Sequence, residues 1–253
     1  MTIFDYPLYY ISFKKNDKLE KACYDLGFKN VNHFYAIDGR DFKPIDLLKN
    51  DLITTRSYED LVYGRDQHKG LSSLGAVGCT MSHNTLWNLC VKNNFPYIII
   101  LEDDVKLPKS ITQKHIDKIN IILSKKNSIF VSGSVFKNDK YTKFLGLHFY
   151  ILSNSSCKEL VKNTFPIDVQ TDWYIAHMDS IKKVNIEGFK IANVHLHKSS
   201  IQNACVKCYL PKNVIYYLVI ICIIFVLIVT FIVIYLKYNS CSKKLNTCVN
   251  NLH

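Results

Sequence analysis

The first 40 residues alternate two apolar runs with one segment of helical spacing. Residues 8–13 and 31–37 are apolar enough to predict two strands. Between them, residues 17–26 place apolar side chains every three to four positions, as one face of a helix does. Asp17 is the predicted N-cap, and Gly27 follows where glycine favours a helix end. Strand, helix and strand in this order predict a parallel sheet and an α/β fold.

The same periodicities resume after a polar, irregular stretch over residues 40–74. We interpret that stretch as a variable loop with helical pieces that lies over a ligand. Helices are predicted over 77–91, 111–123, 153–161 and 173–178, and strands over 97–101, 128–132 and 145–152. With a length of 253 residues, this pattern predicts one main α/β domain.

Three carboxylates, Glu102, Asp103 and Asp104, directly follow the predicted strand 97–101. Like charges at the end of a buried strand repel one another unless a cation lies among them. Oxygen ligands at this spacing suit Mg²⁺ or Mn²⁺, and α/β sheets bind ligands beyond the carboxyl ends of their strands. The alternative is that these acids cap the next turn or pair with lysines. Asp38 ends an earlier strand at the same edge, where it either binds a ligand or forms an Asp-Gly turn.

A serine–histidine pair, Ser82 and His83, falls within the predicted helix 77–91. Near the beginning of that helix, free backbone N–H groups would favour an anion. A lone pair of this kind is more often structural, and no nucleophile-elbow pattern surrounds it. A hydrolase triad is therefore not predicted.

The net charge of +11 is spread over single lysines rather than gathered in a basic run. Because no basic stripe follows the order of a known nucleic-acid motif, nucleic acid is not an expected partner. Nine cysteines, an odd number, are scattered without a framework, so we expect free thiols and no disulfide. Cys205 and Cys208 form one Cys-x-x-Cys, which suits either zinc or reversible acylation.

Residues 214–236 contain no charged side chain and are almost wholly aliphatic or aromatic. As a helix they would extend about 35 Å, enough to cross a bilayer with some tilt. We therefore predict a domain over 1–205, a juxtamembrane linker over 206–213, a transmembrane helix over 214–236 and a polar tail over 237–253. No signal-peptide pattern opens the chain, and lysines flank the span equally. The predicted location is a single-pass, tail-anchor-like membrane protein whose domain faces the cytosol.

Four short motifs follow one another along the chain. They are Tyr-Ile-Ser-Phe over 10–13, Ala-Ile-Asp-Gly over 36–39, Gly-x-x-Gly-Cys-x-x-Ser-His over 75–83 and Leu-Glu-Asp-Asp-Val over 101–105. Together they resemble glycosyltransferase family 25, over about residues 8–205. Lys18 departs from the arginine that is common in that family.

The resemblance implies a GT-A-type, Rossmann-like, mostly parallel sheet flanked by helices, with a UDP-sugar donor and a divalent cation, Mn²⁺ or Mg²⁺. It implies that Asp104 holds the metal together with Glu102 or Asp103, and that the metal neutralises the departing diphosphate. Glu102 and Asp103 are also expected to bind substrate. GT-A enzymes often bring a late histidine to the metal, so His195 or His197 is a candidate ligand; the alternative is two surface histidines.

The remaining expected roles concern the donor pocket and the catalytic base. Asp38 is placed at the uridine half of the donor, and Ser82 and His83 at the floor of the pocket. Asp172 matches an acidic position that precedes an aromatic residue in the family. An inverting transferase needs a carboxylate to take the proton of the acceptor hydroxyl, and Asp172 is the candidate. Its alternative role is to cap the predicted helix 173–178.

These observations predict a membrane-anchored, metal-dependent glycosyltransferase. It would transfer galactose or glucose from UDP to a hydroxyl of a glycan, protein or lipid acceptor, with inversion. One alternative is a family-like domain that has lost catalysis and serves as a membrane-bound binding or scaffold module. Another is a metal-dependent nucleotide-sugar hydrolase, which would release UDP without an acceptor.

Overall fold

The computed structural model describes residues 2–65, 67, 69–138, 141–144, 147–194, 220–235 and 237. The chain divides into two compact units, residues 1–206 and 207–253. The first unit contains the sheet and the candidate site. In the second, residues 220–235 are helical.

The first unit is built from ten described strands and seven α-helices. The strands are β1 Pro7–Ser12, β2 Asn30–Tyr35, β3 Tyr97–Glu102, β4 Val105–Lys106, β5 Ser128–Val131, β6 Val135–Lys137, β7 Thr142–Phe144, β8 Phe149–Ser153, β9 Asn185–Gly188 and β10 Asn193–Val194. The helices are α1 Asp17–Asp25, α2 Pro44–Lys49, α3 Thr55–Tyr63, α4 Leu74–Lys92, α5 Gln113–Leu123, α6 Asn154–Asn163 and α7 Thr171–Ser180. Short 3-10 turns lie at Ile3–Asp5 and Gly39–Asp41.

Six of these strands form one sheet in the order β2-β1-β3-β8-β5-β9. β1 runs parallel to β2 and β3, and β5 runs parallel to β9. β8 runs antiparallel to both of its neighbours, β3 and β5. The sheet is therefore the expected Rossmann-like α/β arrangement with one antiparallel strand inserted.

β3 lies in the middle of the domain because helices cover both faces of the sheet. Ile99 and Leu101 face a cluster that includes side chains of α1 and α5. Ile98 and Ile100 face a second cluster, to which α4, α6 and α7 contribute. A strand buried on both faces needs a continuous apolar run, which is what the sequence of β3 provides.

α4 begins earlier than its apolar spacing predicts. The side chain of Ser73 accepts a hydrogen bond from the Ala76 N–H, so the helix begins at Leu74 rather than at residue 77. Ser82 and His83 consequently lie in the middle of the helix, where the backbone N–H groups are already bonded. The prediction that they face an anion at the helix beginning is wrong.

The loop after β2 crosses the first turns of α4 at backbone contact distance. A Cβ atom on Gly39 would lie 1.8 Å from the Leu74 carbonyl oxygen, and one on Gly78 would lie 2.3 Å from the Ile37 oxygen. The Ser82 hydroxyl accepts from the Ile37 N–H at 2.9 Å and donates to the Gly78 oxygen at 2.8 Å. Two glycines and one serine thus hold this loop against the helix.

The predicted C-terminal transmembrane helix over 214–236 is wrong. No helix among the described residues is both long enough and apolar enough to cross a membrane. The prediction of a single-pass, tail-anchored membrane location is overturned with it. The linker over 206–213, and the tail apart from residue 237, lie outside the described residues.

Replacing Gly39 by alanine tests the close crossing of the loop and α4. We expect Gly39→Ala to lower the free energy of unfolding by about 3 kcal/mol, because the new Cβ would overlap backbone rather than a movable side chain. Gly27→Ala is the comparison: Gly27 has φ +99°, and its Cβ would only touch the Phe4 ring at 3.7 Å. Its expected cost is about 1 kcal/mol, from backbone strain alone. Denaturant titration measures both, and equal losses would contradict the crossing.

Candidate active site

A cavity of about 650 Å³ opens where β1, β2 and β3 end. Parallel pairing of β1 with β2 and β3 brings the carboxyl ends of all three strands to one edge of the sheet. The described residues that form the cavity walls belong to the end of β1, the loop after β2, the first half of α4 and the turn that follows β3. Six of the predicted site residues line it: Asp38, Ser82, His83, Glu102, Asp103 and Asp104.

Glu102, the last residue of β3, and the two acids that follow it are crowded and incompletely solvated. Burial and, after it, the charges of Glu102 and Asp103 together raise the pKa of Asp104 to about 6. Burial and the charge of Glu102 also raise the pKa of Asp103. The Oδ1 atom of Asp104 is buried, and no described residue donates a hydrogen bond to it. The acidic cluster therefore carries negative charge that the described residues do not compensate.

This arrangement fits a divalent cation. Among the described residues, no ion pair involves Asp103 or Asp104, and Glu102 is paired only with His83. The alternative of pairing with lysines is not observed there. A buried carboxylate oxygen without a donor costs free energy, and a hard cation bound by carboxylate oxygens removes that cost.

His83 connects the acidic cluster to the core of the domain. It is 1% exposed, and its two ring nitrogens lie 2.7 Å from the Tyr150 hydroxyl and 3.2 Å from Oε1 of Glu102. Trp87 Nε1 donates to the same tyrosine hydroxyl at 3.1 Å. Cys79, His83 and Glu102 each offer one potential metal-ligating atom, and these atoms lie within 4.8 Å of one another.

Asp38 is engaged by its own chain. Nε and Nη2 of Arg40 donate to its carboxylate at 2.7 and 2.6 Å, and the Arg40 guanidinium holds the pKa of Asp38 below its ordinary value. The Asp38 side chain also accepts from the Arg40 N–H, which starts the 3-10 turn. Arg40 lies over the Phe13 ring, 5.5 Å from its centroid. The turn-forming role is therefore present, and the contact with uridine stays a prediction.

Asp172 is the second residue of α7. The helix begins at Thr171, whose hydroxyl lies 2.8 Å from that of Thr80 on α4. The Asp172 carboxylate accepts from the Trp173 N–H at 2.8 Å, so it binds within the first turn but does not occupy the N-cap position. The described residues that line the cavity do not include it.

The charge of Asp172 nevertheless acts on the same part of α4 as the acidic cluster. Burial raises the pKa of the Cys79 thiol, and the carboxylates of Glu102, Asp172 and Asp104 raise it further. Cys79 itself lines the cavity. Carboxylates from two separate parts of the chain therefore act on one thiol at the cavity wall.

His195 and His197, the predicted late metal ligands, lie outside the described residues. The chain that leads to them passes close to the acids, because β10 pairs antiparallel with β4 and Val194 pairs with Val105. Their role as ligands stays a prediction.

Three side chains near the acids were not anticipated: Cys79, Tyr150 and His148. The ring of His148 bonds the backbone of Ser132, and its Nε2 is buried without a described partner. Burial lowers the pKa of His148. Its carbonyl accepts from the Glu102 N–H at 3.2 Å. The sequence signal that could have pointed to His148 and Tyr150 is the presence of a histidine and a tyrosine in the otherwise apolar run before α6.

Several known proteins are similar to this chain. The family described as "Glycosyltransferase family 25 (LPS biosynthesis protein)" matches residues 6–175. A "Glycosyltransferase 25 family member" of Drosophila melanogaster is 26% identical over 107 residues, which cover 42% of this chain and 16% of that protein. A protein of the same name from Anopheles gambiae is 29% identical over 83 residues, or 33% of this chain and 13% of that protein. The "Lipooligosaccharide biosynthesis protein lex-1" of Haemophilus influenzae is 58% identical over 33 residues, or 13% of this chain and 11% of that protein. The matched stretches thus span only a small part of these curated relatives.

The pH dependence of stability tests the strain at Asp104. Because its folded pKa of about 6 lies above the unfolded value of about 3.9, the folded state binds the extra proton in this range. With a chelator present, we expect the free energy of unfolding to fall by roughly 1–2 kcal/mol between pH 4 and pH 6. This loss is smaller than the free energy that corresponds to the full pKa shift of about two units, because the side chain is partly exposed to solvent.

Asp104→Asn should abolish this loss and raise the melting temperature at pH 7, as thermal unfolding at several pH values would show. Asp38→Asn is the matched control, since Arg40 compensates that carboxylate, and no gain in melting temperature is expected. Identical pH slopes for the original chain and Asp104→Asn would contradict the assignment.

Proposed function

Because this chain belongs to glycosyltransferase family 25 and is a glycosyltransferase, we propose that it transfers galactose or glucose from UDP to an acceptor hydroxyl with the help of Mn²⁺ or Mg²⁺. The observation that carries the proposal is Asp104, whose Oδ1 atom is buried without a hydrogen-bond donor among the described residues, beside two more acids on the wall of a 650 Å³ cavity. Uncompensated acids at the carboxyl edge of an α/β sheet suit a cation-bound phosphate ligand.

In this proposal Asp104, together with Glu102 or Asp103, holds the divalent cation. When bound, the cation supplies positive charge that offsets the charge developing on the UDP leaving group. The Ser82 hydroxyl accepts a hydrogen bond from the Ile37 N–H, which holds the loop over residues 36–41 in place and so shapes the floor of the cavity. The whole cavity is large enough for a small-molecule ligand.

The nucleotide is proposed to lie toward Asp38 and Phe13. Both line the cavity, and an aromatic ring beside a polar turn suits a base and its ribose. Arg40 already stacks on Phe13 and binds Asp38, so the donor would share this side chain or displace it. The Asp38–Arg40 pair therefore holds the turn in shape.

Asp172 is the proposed general base. It would accept the proton of the acceptor hydroxyl as that oxygen bonds to the anomeric carbon, while the bond from that carbon to the UDP oxygen breaks and the configuration inverts. Support comes from the packing of Thr171 on Thr80, next to Cys79 on the cavity wall. A carboxylate in the first turn of a helix is held rigidly, which suits a group that must be aimed.

Donor turnover by the full chain tests the proposal. With UDP-galactose or UDP-glucose, acceptor-dependent UDP release should require Mn²⁺ and stop with a chelator. Asp104→Asn should lower kcat/KM at least about 100-fold, because charge stabilisation at the leaving group is lost. Asp172→Asn should lower kcat by about 10²–10⁴ and leave UDP-sugar binding unchanged, as loss of a general base does. Asp117→Asn, on the exposed face of α5, is the control and should leave kcat/KM unchanged.

Three outcomes would contradict the proposal. Chelator-insensitive turnover would exclude the cation. A folded chain that binds no UDP-sugar would favour the scaffold alternative. UDP release that is equally fast without any acceptor would favour the hydrolase.

A further inference from the structure

A buried chain of four side chains leads from the apolar core to the acidic cluster. Trp87 Nε1 lies 3.1 Å from the Tyr150 hydroxyl, that hydroxyl lies 2.7 Å from Nδ1 of His83, and Nε2 of His83 lies 3.2 Å from Oε1 of Glu102. Trp87 and Tyr150 are 0% exposed, whereas the Glu102 side chain is 30% exposed. The chain of hydrogen bonds begins in the dry core and ends at an acid on the cavity wall.

The direction of each hydrogen bond follows from what each group can do. An indole N–H only donates, so the Tyr150 oxygen accepts from Trp87. The tyrosine hydroxyl then donates its own proton to Nδ1 of His83, the described acceptor within reach. A ring whose Nδ1 accepts is neutral and carries its proton on Nε2, which donates to Glu102. Every donor in the chain is thereby satisfied.

We propose that Trp87 and Tyr150 are positioning residues that hold His83 in its neutral Nε2–H form and thereby fix the Glu102 carboxylate for binding of the divalent cation. The inference rests on the proposed function, because it assigns the buried chain to the cation of that same site. Tyr150 and Trp87 act through His83 and do not touch the cation.

A neutral donor has a specific advantage at this position. A lysine or arginine bonded to Glu102 would cancel the negative charge that attracts the cation. The neutral imidazole orients the carboxylate and leaves its charge intact. Oε1 of Glu102 is bonded to His83, and no other described residue bonds to the Glu102 carboxylate. Oε2 is therefore the oxygen available to the cation. Buried supporting groups of this kind tune metal affinity in many proteins.

Cys79 introduces an alternative role for His83 and Glu102, in which the three side chains are ligands of one metal ion. With His83 and Glu102 it forms a compact group that suits a softer cation such as Zn²⁺. Ligation through Nε2 would move the His83 proton to Nδ1 and deprive the Tyr150 hydroxyl of its acceptor. Because the hydrogen-bonded chain is complete without a cation on His83, the structure favours positioning. The tautomer of His83 distinguishes the two.

The first test is therefore the tautomer. The full chain labelled with ¹⁵N-histidine is examined by long-range proton–nitrogen NMR, and His83→Gln identifies the His83 signals. We expect the neutral Nε2–H form near neutral pH, with and without Mg²⁺. A ring protonated on Nδ1, or one that moves its proton there when the cation is added, would overturn the proposal.

The second test is the Mn²⁺ affinity of the full chain, measured by electron paramagnetic resonance. For Tyr150→Phe we expect the Kd for Mn²⁺ to rise about tenfold, the lower end of known supporting-group effects. At saturating Mn²⁺, UDP release should stay within about threefold, because the bound state is chemically unchanged. A merely structural role would not separate these two quantities. Trp87→Phe removes only the first donor and should raise the Kd less, and it keeps the test valid if Tyr150→Phe does not fold.

Tyr97→Phe is the matched control. Tyr97 begins β3, at the end opposite Glu102, and its hydroxyl donates to the Leu123 carbonyl at 3.0 Å. We expect an unchanged Kd in this variant. Equal Kd values for Tyr150→Phe, Trp87→Phe and Tyr97→Phe would overturn the proposal.

Failure of this inference is distinguishable from failure of the proposed function. If Asp104→Asn abolishes Mn²⁺ binding while Tyr150→Phe and Trp87→Phe leave the Kd unchanged, only the positioning role is overturned. If the unmodified chain binds no Mn²⁺, the proposed function is overturned, and the positioning role falls with it.

Discussion

The burial of β3 on both faces is the constraint on which the rest of the structure depends. Apolar clusters enclose Ile98 to Leu101, so the carboxylates that follow emerge at the edge of a dry interior. There each acid must be solvated, bonded or matched by a positive charge. Glu102 is bonded by His83, whereas Asp104 keeps a buried oxygen without a described donor. The chemistry of the site follows from this incomplete compensation.

Local patterns in the sequence predicted the strands and helices that form from residues close together in the chain. The apolar runs of β1 and β3 and the helical spacing of α1 are such patterns, and they placed the acids at the right edge of the sheet. The start of α4 was missed because Ser73 caps the helix ahead of Gly75 and Gly78, and glycines weaken a helical pattern. The C-terminal span was predicted from composition alone and is wrong, since no helix among the described residues is long and apolar enough to cross a membrane.

The long-range contacts of the site could not be predicted in the same way. The contact between Tyr150 and His83 depends on the antiparallel insertion of β8 beside β3, which no local periodicity encodes. The close crossing of Gly39 and Gly78 depends on the angle at which a loop meets a helix. The chemical types of the site residues were therefore visible in the sequence, but the groups that hold them in place were not. The match to glycosyltransferase family 25 covers residues 6–175, a range that contains all four short motifs.

The antiparallel course of β8 also governs the order in which the site is completed during folding. β1, β2 and β3 can pair among themselves, and β5 can pair with β9, but only β8 joins these two sets into one sheet. Tyr150 is the second residue of β8 and lies about 50 residues after Glu102 in the chain. Closing such a long loop is slow compared with forming local structure. The bond from Tyr150 to His83 needs β8 in place beside β3, so the Glu102 carboxylate is oriented only after that long-range pairing has formed.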